Sequence, residues 1–407
     1  MKILFLTDNF PPEHNPPANR TYAHSRIWVQ QGHEVTVVTC FPNFPIGRLY
    51  EGYRQKLWDE EYIDGIRVVR IWSYIAPNRG VLRRSVDYLS YAIHAAFRSL
   101  RLPQHDLLVA TSPQFFTAVA GRAVAAWRRM PWIMEVRDLW PDSIRAVGAI
   151  RTSLVLRMLE YLERHLYRHA DALVVVTEAI QQEIAKKADI PLEKIHVVPN
   201  GVDTQLFYPT ERDEELKRKL GIEGKFVVGY VGTHGMAHGL DGFIRGADRL
   251  PKGVILLCIG EGAEKEKLER LARDRSNVLL LPSVPHQQIR RYMSLIDVAL
   301  VPLRKREVFT TVIPSKIFEA AAMGIPILLG VEGQAQELIE RYGAGLCFEP
   351  ENIEDFHKKL WQLYSDDALY RRCAEGALRL SAHYDRHTQA MRMLEIMERV
   401  VHQRNNS

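Results

Sequence analysis

The stretch PSKIFEAAAMGIP, residues 314–326, decides the fold and is the most chemically informative part of the chain. It predicts a helix over 315–323 and a buried strand over 325–329. Ser315 can cap the free backbone N–H groups of the first turn, which together with the helix dipole favour an anion. Lys316 supplies a point charge for a phosphate, and Glu319 shares its helix face, where a carboxylate can accept ribose hydroxyls. Taken alone, the stretch also fits a capped helix with an exposed Lys–Glu pair.

Short apolar runs alternate with longer amphipathic runs on both sides of this stretch, which predicts an α/β fold with doubly wound parallel sheets. The run ALVVV, residues 172–176, is apolar on both faces, as buried parallel strands are. Strands are predicted at 2–6, 34–39, 66–71, 106–111, 132–136, 172–176 and 195–198, and again at 225–231, 254–259, 278–281, 297–301, 325–329 and 345–348. Helices are predicted at 18–31, 85–101, 115–128, 152–169 and 177–188, and then at 240–250, 263–273, 286–295, 315–323, 332–342 and 352–364.

The polar segment 203–224 reads as a linker, so the chain divides into two Rossmann-like domains. We expect residues 1–200 to form the first domain, together with a returning C-terminal helix at 385–407, and residues 201–384 to form the second. Two such sheets bind ligands at the carboxyl ends of their strands. A central cleft between the domains is therefore the expected site.

Composition places the chain among soluble globular enzymes: of its 407 residues, 46% are hydrophobic and 25% charged. Residues 1–200 hold 25 basic and 20 acidic residues, and this half therefore carries the whole net charge of +5. That excess suits a phosphate-bearing substrate or an anionic lipid, and no nucleic-acid motif accompanies it. The four cysteines are scattered without ligand spacing, and neither a signal peptide nor an apolar run of membrane-spanning length is present. These features predict a cytoplasmic location.

Four further segments resemble the family-4 retaining glycosyltransferases, which have the GT-B fold. They are HVVPNGVD (196–203), IGEGAEKEKL (259–268), DVALVPL (297–303) and VRDLWPDS (136–143). The last of these is similar to the branch that builds bacterial O-antigen and capsule, which includes N-acetyl-L-fucosamine transferases. The resemblance covers nearly the whole chain and is most specific in the second half.

The resemblance implies a hexosyltransferase-type enzyme that retains the anomeric configuration and binds a nucleotide sugar, expected to be UDP-linked, in the second domain. The residues it implies for the donor are Gly232, Thr233, Gly262, Ser283, Ser315, Lys316 and Glu319. It implies no cofactor and no metal ion, and a saccharide on polyprenyl diphosphate as the acceptor. The reaction would then take place in the cytoplasm, at the inner face of the plasma membrane.

The first half departs from the family pattern at two positions. The first loop carries Pro16 and Pro17 where the family has a Gly-Gly pair, and prolines remove the N–H donors that would cradle a diphosphate. Arg20 is a candidate to compensate. The family's His-containing pair is replaced by Arg137 and Asp138, and we expect Asp138 to act at the reacting centre, where it would orient or deprotonate the acceptor hydroxyl. A structural Arg–Asp pair is the alternative.

The second half departs from the family pattern at the residues that bind the donor diphosphate. Thr233 and His238 stand where the family has an Arg and a Lys, so phosphate binding would shift toward backbone N–H groups, Lys316 and the additional candidate Arg304. Thr311 stands where the family has a Glu that contacts donor-sugar hydroxyls. This change suggests a different sugar, such as a deoxygenated or N-acetylated one.

Two other functions share these features. A UDP-N-acetylhexosamine epimerase has the same two-domain architecture, and a non-catalytic nucleotide-sugar-binding partner subunit would tolerate the missing Arg, Lys and Glu. The segment 88–101 alternates aromatic and basic residues, which fits either a helix on a membrane surface or a core helix of a large domain.

Overall fold

The computed structural model describes residues 1–13, 15–44, 47–75, 81–112, 114–140, 153–285 and 288–405. The chain divides into two compact units. Unit 1 comprises Met1–Asn200 and Arg386–Ser407, and unit 2 comprises Gly201–Asp385. Each unit is an α/β domain built on a largely or wholly parallel sheet, as the alternation of apolar and amphipathic runs predicts.

Unit 1 is built on a sheet with the described strand order β3-β4-β2-β1-β5-β6-β7-β8. The strands are β1 Lys2–Leu6, β2 Glu34–Cys40, β3 Trp58–Ile63, β4 Ile66–Ile71, β5 Leu107–Thr111, β6 Trp132–Val136, β7 Ala172–Val175 and β8 Ile195–Val197. The helices between them are α1 Pro16–Gln30, α2 Val81–Ser99, α3 Phe115–Arg128, α4 Ser153–His169 and α5 Glu178–Ala188. All neighbouring strands run parallel except β3, which pairs antiparallel with β4.

Unit 2 repeats the plan with the strand order β11-β10-β9-β12-β13-β14. Its strands are β9 Phe226–Val231, β10 Val254–Ile259, β11 Val278–Leu281, β12 Val298–Pro302, β13 Ile327–Gly330 and β14 Gly345–Cys347. Its helices are α6 Glu214–Lys219, α7 Leu240–Gly246, α8 Lys265–Ala272, α9 Ile289–Met293, α10 Lys316–Ala322, α11 Gln334–Tyr342, α12 Ile353–Ser365 and α13 Asp367–His383.

The stretch 314–326 forms α10 and the turn into β13. Gly324 has a φ of +69°, the left-handed conformation that commonly ends helices. The N–H of Ile325 then donates back to the carbonyl of Ala320 at 3.0 Å. This turn carries the chain into β13, whose four residues are all buried.

The last helix, α14 Arg386–Asn405, belongs to unit 1. It packs on α1, where the indole N–H of Trp28 donates to the carbonyl of Ala390 at 2.9 Å. Met393 and Met397 are buried in the same core cluster as Trp28. The structure thus confirms the expected return of the C-terminal helix.

Two elements were not expected from the sequence. Strand β3 lies at the sheet edge with exposed and half-buried residues alternating, so it lacks the apolar run that marked the other strands. Helix α13 follows α12 after the single residue Asp366, whose side chain accepts from the N–H of Leu369 at 2.9 Å. Of the helices in the described ranges, none combines the length and hydrophobicity that a membrane span requires.

Candidate functional site

Lys316 begins α10, and its ammonium lies in a buried position. The Nζ atom has no hydrogen-bond acceptor among the described residues. It lies 3.9 Å from the centre of the Tyr230 ring, at the carboxyl end of β9. This is the geometry of a cation–π contact, which offsets only part of the cost of removing an ammonium from water.

Burial lowers the pKa of Lys316 to about 7, although Glu319 and then Cys258 act in the opposite direction. Glu319 is half-buried one turn along the same helix. Gly232 leaves room for the amine, since a Cβ atom at that position would lie 3.1 Å from Nζ. The structure therefore brings Lys316, Glu319 and Gly232 together, as the sequence predicts.

The loops that follow β9 and β10 are fastened to each other through their backbones. The N–H of His234 donates to Glu261 at 2.8 Å, and the N–H of Glu264 donates to His234 at 2.9 Å. A Cβ atom on Gly262 would lie 2.5 Å from the His234 carbonyl oxygen, and one on Gly260 would lie 1.9 Å from that of Gly232. Both glycines are thus required by packing, and contact between Gly262 and a nucleotide stays a prediction.

Two histidines in the loop after β9 face the lysine. His234 is fully buried, and neither ring nitrogen has a partner in the described part of the chain. Burial, followed by the charges of Lys265 and Lys316, lowers the pKa of His234 to about 4. Burial, with Lys316 the next contribution, lowers that of His238 to about 3. Both imidazoles are therefore neutral at neutral pH.

Sequence reasoning gave His234 no role, although the string GTHGMAHG places it two residues after Gly232. The ring centroid of Tyr230 lies 5.9 Å from that of His234 and 5.6 Å from that of His238. The sequence feature that could have pointed to His234 was the pair of histidines in a glycine-rich loop. Their burial, which decides their charge, could not be read from that loop alone.

Three hydroxyl residues predicted for the donor site lie in different settings. Thr233 and Ser283 are exposed, and the Thr233 carbonyl accepts from the Tyr230 hydroxyl at 2.6 Å. The expectation that Ser315 caps α10 is wrong: its backbone is already helical, and its side chain makes no capping hydrogen bond. The preceding Pro314 carbonyl accepts from Ile317 at 3.1 Å instead, so the turn closes without a side-chain cap.

Arg304 is occupied by protein partners. Its guanidinium donates to Glu351 at 2.9 Å, to Asp241 at 3.2 Å and to the Met236 carbonyl at 2.7 Å. These contacts fasten the loop after β12 to the start of α7. They give Arg304 a structural role, and its contact with a phosphate stays a prediction.

Arg20 is also held within unit 1. Its Nε donates to Glu135 at 2.9 Å, and its terminal nitrogens donate to the carbonyls of Val198 at 2.9 Å and Pro199 at 2.7 Å. Thr111 donates to the other Glu135 oxygen at 2.6 Å. Arg20 and Glu135 are buried, so this is a paired internal charge, and a contact between Arg20 and the donor diphosphate stays a prediction.

Asp138 follows β6 and is half-buried. The neighbouring Arg137 donates through Nε to the Ser112 carbonyl at 2.8 Å, and its Nη2 is buried without a partner among the described residues. Burial lowers the pKa of Arg137, against the attraction of Glu135 and, more weakly, of Asp8 and Asp138. The remainder of the family motif, residues 141–143, lies outside the described residues.

Three carboxyl groups near the end of β1 have raised pKa values, which the sequence did not reveal. Burial raises the pKa of Asp8. Burial raises the pKa of Glu13 to about 7, although the backbone N–H groups of Asn43 and Phe44 act in the opposite direction. Burial also raises the pKa of Asp87 to about 7, and the charge of Asp8 adds to this effect. Unit 1 therefore contains carboxyl groups able to exchange protons near neutrality.

In the described ranges, no group of three or more His, Cys, Asp or Glu side chains is arranged to hold a metal ion. The residues that gather around Lys316 instead provide one ammonium among neutral aromatic and imidazole rings. Such a site can stabilise an anion by a direct charge contact.

Two sequence models of protein families match the chain. The model described as glycosyl transferase 4-like domain matches residues 17–201, and the model described as glycosyl transferases group 1 matches residues 212–379. The two matches lie almost wholly in unit 1 and unit 2 respectively.

Three curated relatives match large parts of the chain. WcaI of Escherichia coli, named as a glycosyl transferase of colanic acid biosynthesis, is 25% identical over 87% of this chain and 90% of its own. The D-inositol 3-phosphate glycosyltransferase of Corynebacterium urealyticum is 30% identical over 66% of this chain and 68% of its own. The GDP-mannose-dependent alpha-mannosyltransferase of Mycobacterium tuberculosis is 24% identical over 85% of this chain and 83% of its own.

Solved structures share the fold. Sucrose-phosphate synthase from Thermosynechococcus elongatus superposes with a TM-score of 0.77 at 16% identity over 98% of both chains. Anabaena HepE in complex with UDP and glucose gives a TM-score of 0.74 at 18% identity over 98% of this chain and 99% of its own.

Proposed function

The chain belongs to the family-4 glycosyltransferases of GT-B fold, and from this premise we propose that it transfers a sugar from a UDP-linked donor bound by unit 2. The relatives named above are themselves called glycosyl transferases. The bound UDP and glucose of the Anabaena neighbour support the choice of nucleotide, while the GDP-mannose of the mycobacterial relative makes GDP the competitor to test.

The observation that carries the proposal is the buried ammonium of Lys316, which has no hydrogen-bond acceptor in the described part of the chain. An ammonium removed from water without an acceptor is costly, and a ligand oxyanion would remove that cost. A donor diphosphate provides such oxygens. Glu319, on the same turn, would accept the ribose hydroxyls, so one helix would hold two parts of the nucleotide.

The proposed chemistry is that of the retaining family. The bond between the anomeric carbon and the diphosphate oxygen breaks, and the acceptor oxygen bonds to that carbon on the same face of the sugar. The acceptor proton passes to a donor phosphate oxygen. Lys316 would stabilise the negative charge that develops on the departing UDP, and Asp138 would orient the acceptor hydroxyl without forming a covalent bond.

We further propose a hexosyl donor and a saccharide acceptor carried on polyprenyl diphosphate, used in bacterial surface polysaccharide synthesis at the cytoplasmic face of the membrane. The colanic acid relative supports the pathway class, and the net charge of +5 in residues 1–200 suits a diphosphate. Thr311 in place of the family Glu, together with the likeness to N-acetyl-L-fucosamine transferases, supports an N-acetylated deoxyhexose as the sugar.

The proposal is tested by incubating the purified protein with UDP-sugars or GDP-sugars, each with and without a polyprenyl-diphosphate saccharide. We expect a new glycosidic product only when acceptor and a UDP-sugar are both present, and its formation should be about a hundredfold slower or more with Lys316→Ala. Trp361→Ser, an exposed unit 2 position, is the matched control and should keep full activity. Isomerisation of the donor alone, or product from GDP-sugars only, would contradict the proposal.

A further inference from the structure

Helix α2 carries an apolar stripe on each of two faces. Tyr91 and Ala95 point into the core and are fully buried. On the outer side, the side chains of Val86, Leu89, Ile93 and Phe97 are between 46% and 58% exposed. Their spacing of three or four residues aligns them along one side of the helix, so the exposure is continuous.

A second apolar stripe lies on α4, in the same helical layer. Leu154, Met158 and Tyr161 are 65% to 69% exposed and again spaced three or four residues apart. Helix α3 contacts both α2 and α4, and its Trp127 is 80% exposed. The three helices bury their inner sides in one core cluster, so this outer apolar face is additional to the packing of unit 1.

Arginines border both stripes. Arg83 lies three residues before Val86, and Arg101 lies four residues after Phe97, whose ring centre is 3.4 Å from its guanidinium carbon. Arg157 lies three residues after Leu154 and four before Tyr161. All three arginines are exposed, and their spacing places them beside the apolar side chains.

We propose that this face of α2, α3 and α4 docks on an anionic membrane surface. Extended apolar patches on a soluble domain mark interaction sites, and aliphatic and aromatic side chains bordered by arginine suit the interface between acyl chains and anionic headgroups. The charge selects this occupant, because a second copy of the chain would bring the same arginines against one another. The claim that the reaction takes place at a membrane rests on the proposed function. The apolar face and its arginines are observed independently of that function.

The test is flotation of the full chain with vesicles of phosphatidylcholine alone or with added phosphatidylglycerol, in the absence of donor and acceptor. We expect binding to the anionic vesicles that weakens with salt. Ile93→Ser with Phe97→Ser should reduce the partition coefficient by roughly tenfold or more. Arg101→Glu with Arg157→Glu should reduce it by about fivefold or more for each arginine.

Matched controls separate the face from general stickiness. Trp127→Ser should weaken vesicle binding, whereas Trp361→Ser, on α12 of unit 2, should not. Arg245→Glu, an exposed arginine of α7, is the control for charge. Melting temperatures should stay close to that of the wild type, since exposed positions contribute little to stability.

The proposal is overturned if the wild type fails to float with anionic vesicles, or if the face variants and controls bind alike. It is also overturned if sedimentation velocity shows a dimer that the same face variants dissociate, because the face would then join two copies. Transfer to a water-soluble acceptor should be unchanged in the face variants. If the wild type transfers no sugar to such an acceptor, that result would count against the proposed function and not against the membrane face.

Discussion

The ammonium of Lys316 lies over the ring of Tyr230, with 3.9 Å between Nζ and the ring centre. No hydrogen-bond acceptor among the described residues reaches that nitrogen. The ring fixes the position of the charge while leaving its hydrogen-bonding capacity for a ligand. The contact therefore prepares an anion site in unit 2 before any donor arrives.

We predict that Tyr230→Leu weakens UDP binding, because it removes the ring that holds the ammonium in place. The expected loss is roughly tenfold, in line with about 1–2 kcal/mol for a desolvated cation–π contact. Tyr230→Phe keeps the ring and loses only the hydrogen bond to Thr233, so its affinity should stay near that of the wild type. Isothermal titration with UDP measures both variants, and equal losses in both would contradict the role of the ring.

UDP affinity should fall as pH rises from about 7 to about 9, approaching a tenfold loss per pH unit. The pKa of Lys316 in the free protein is about 7. Above that pH the neutral amine must therefore take up a proton before it can form an ion pair with the phosphate. The phosphate itself is fully ionised there. The pKa values of about 4 for His234 and about 3 for His238 keep both neutral throughout.

Lys316→Arg is the control for this pH profile. Arginine stays charged across the whole range, so its UDP affinity, although lower at pH 7, should be independent of pH. If the UDP affinity of the wild type does not change between pH 7 and pH 9, Lys316 takes up no proton on binding. If the affinity of Lys316→Arg falls in parallel with that of the wild type, another group causes the pH dependence.

Glu319→Ala should weaken UDP binding while leaving pyrophosphate binding unchanged, because its carboxylate is proposed to accept ribose hydroxyls. Hydrogen bonds to a charged group are worth about 1.5–3 kcal/mol each, which corresponds to at least a tenfold loss for UDP. The titrations belong well below the Lys316 pKa of about 7, because loss of the Glu319 charge lowers that pKa further, and pyrophosphate affinity reports whether the ammonium is still protonated. Equal losses for both ligands would show that Glu319 acts through Lys316 and not on the ribose.

Asp138→Asn should lower the turnover number far more than it changes UDP affinity, because its proposed role is at the acceptor hydroxyl. The variant is nearly isosteric, so its melting temperature should remain that of the wild type. Steady-state kinetics with saturating donor, together with a UDP titration, measures the two effects. A lower melting temperature that parallels the loss of turnover would indicate a structural Arg137–Asp138 pair instead.

The fold could be predicted because buried parallel strands are apolar on both faces and short, whereas their helices are amphipathic. That signal found every parallel strand of the two described sheets to within about two residues. It missed β3, since an edge strand with half its residues in water has no apolar run. It also missed α13, which begins one residue after α12 ends and so presents no loop between them.

The site was less predictable, because partners come from distant parts of the sequence. Lys316 and Glu319 could be found as one helix turn, but the pairing of Arg20 with Glu135 spans 115 residues, and that of Arg304 with Glu351 spans 47. Both arginines were therefore named as ligand candidates without knowledge of the protein carboxylates that pair with them. The neutral state of His234 depends on burial, which only the packed loops reveal.

The most direct test of the central claim is a calorimetric titration of UDP into the wild type and Lys316→Ala, at about pH 6 and in excess EDTA. The account predicts that the wild type binds UDP without added metal and that the alanine variant binds about a hundredfold more weakly, as loss of a charged phosphate contact requires. Equal affinities in the two proteins, or wild-type binding that appears only when magnesium is restored, would contradict the claim that Lys316 holds the donor diphosphate.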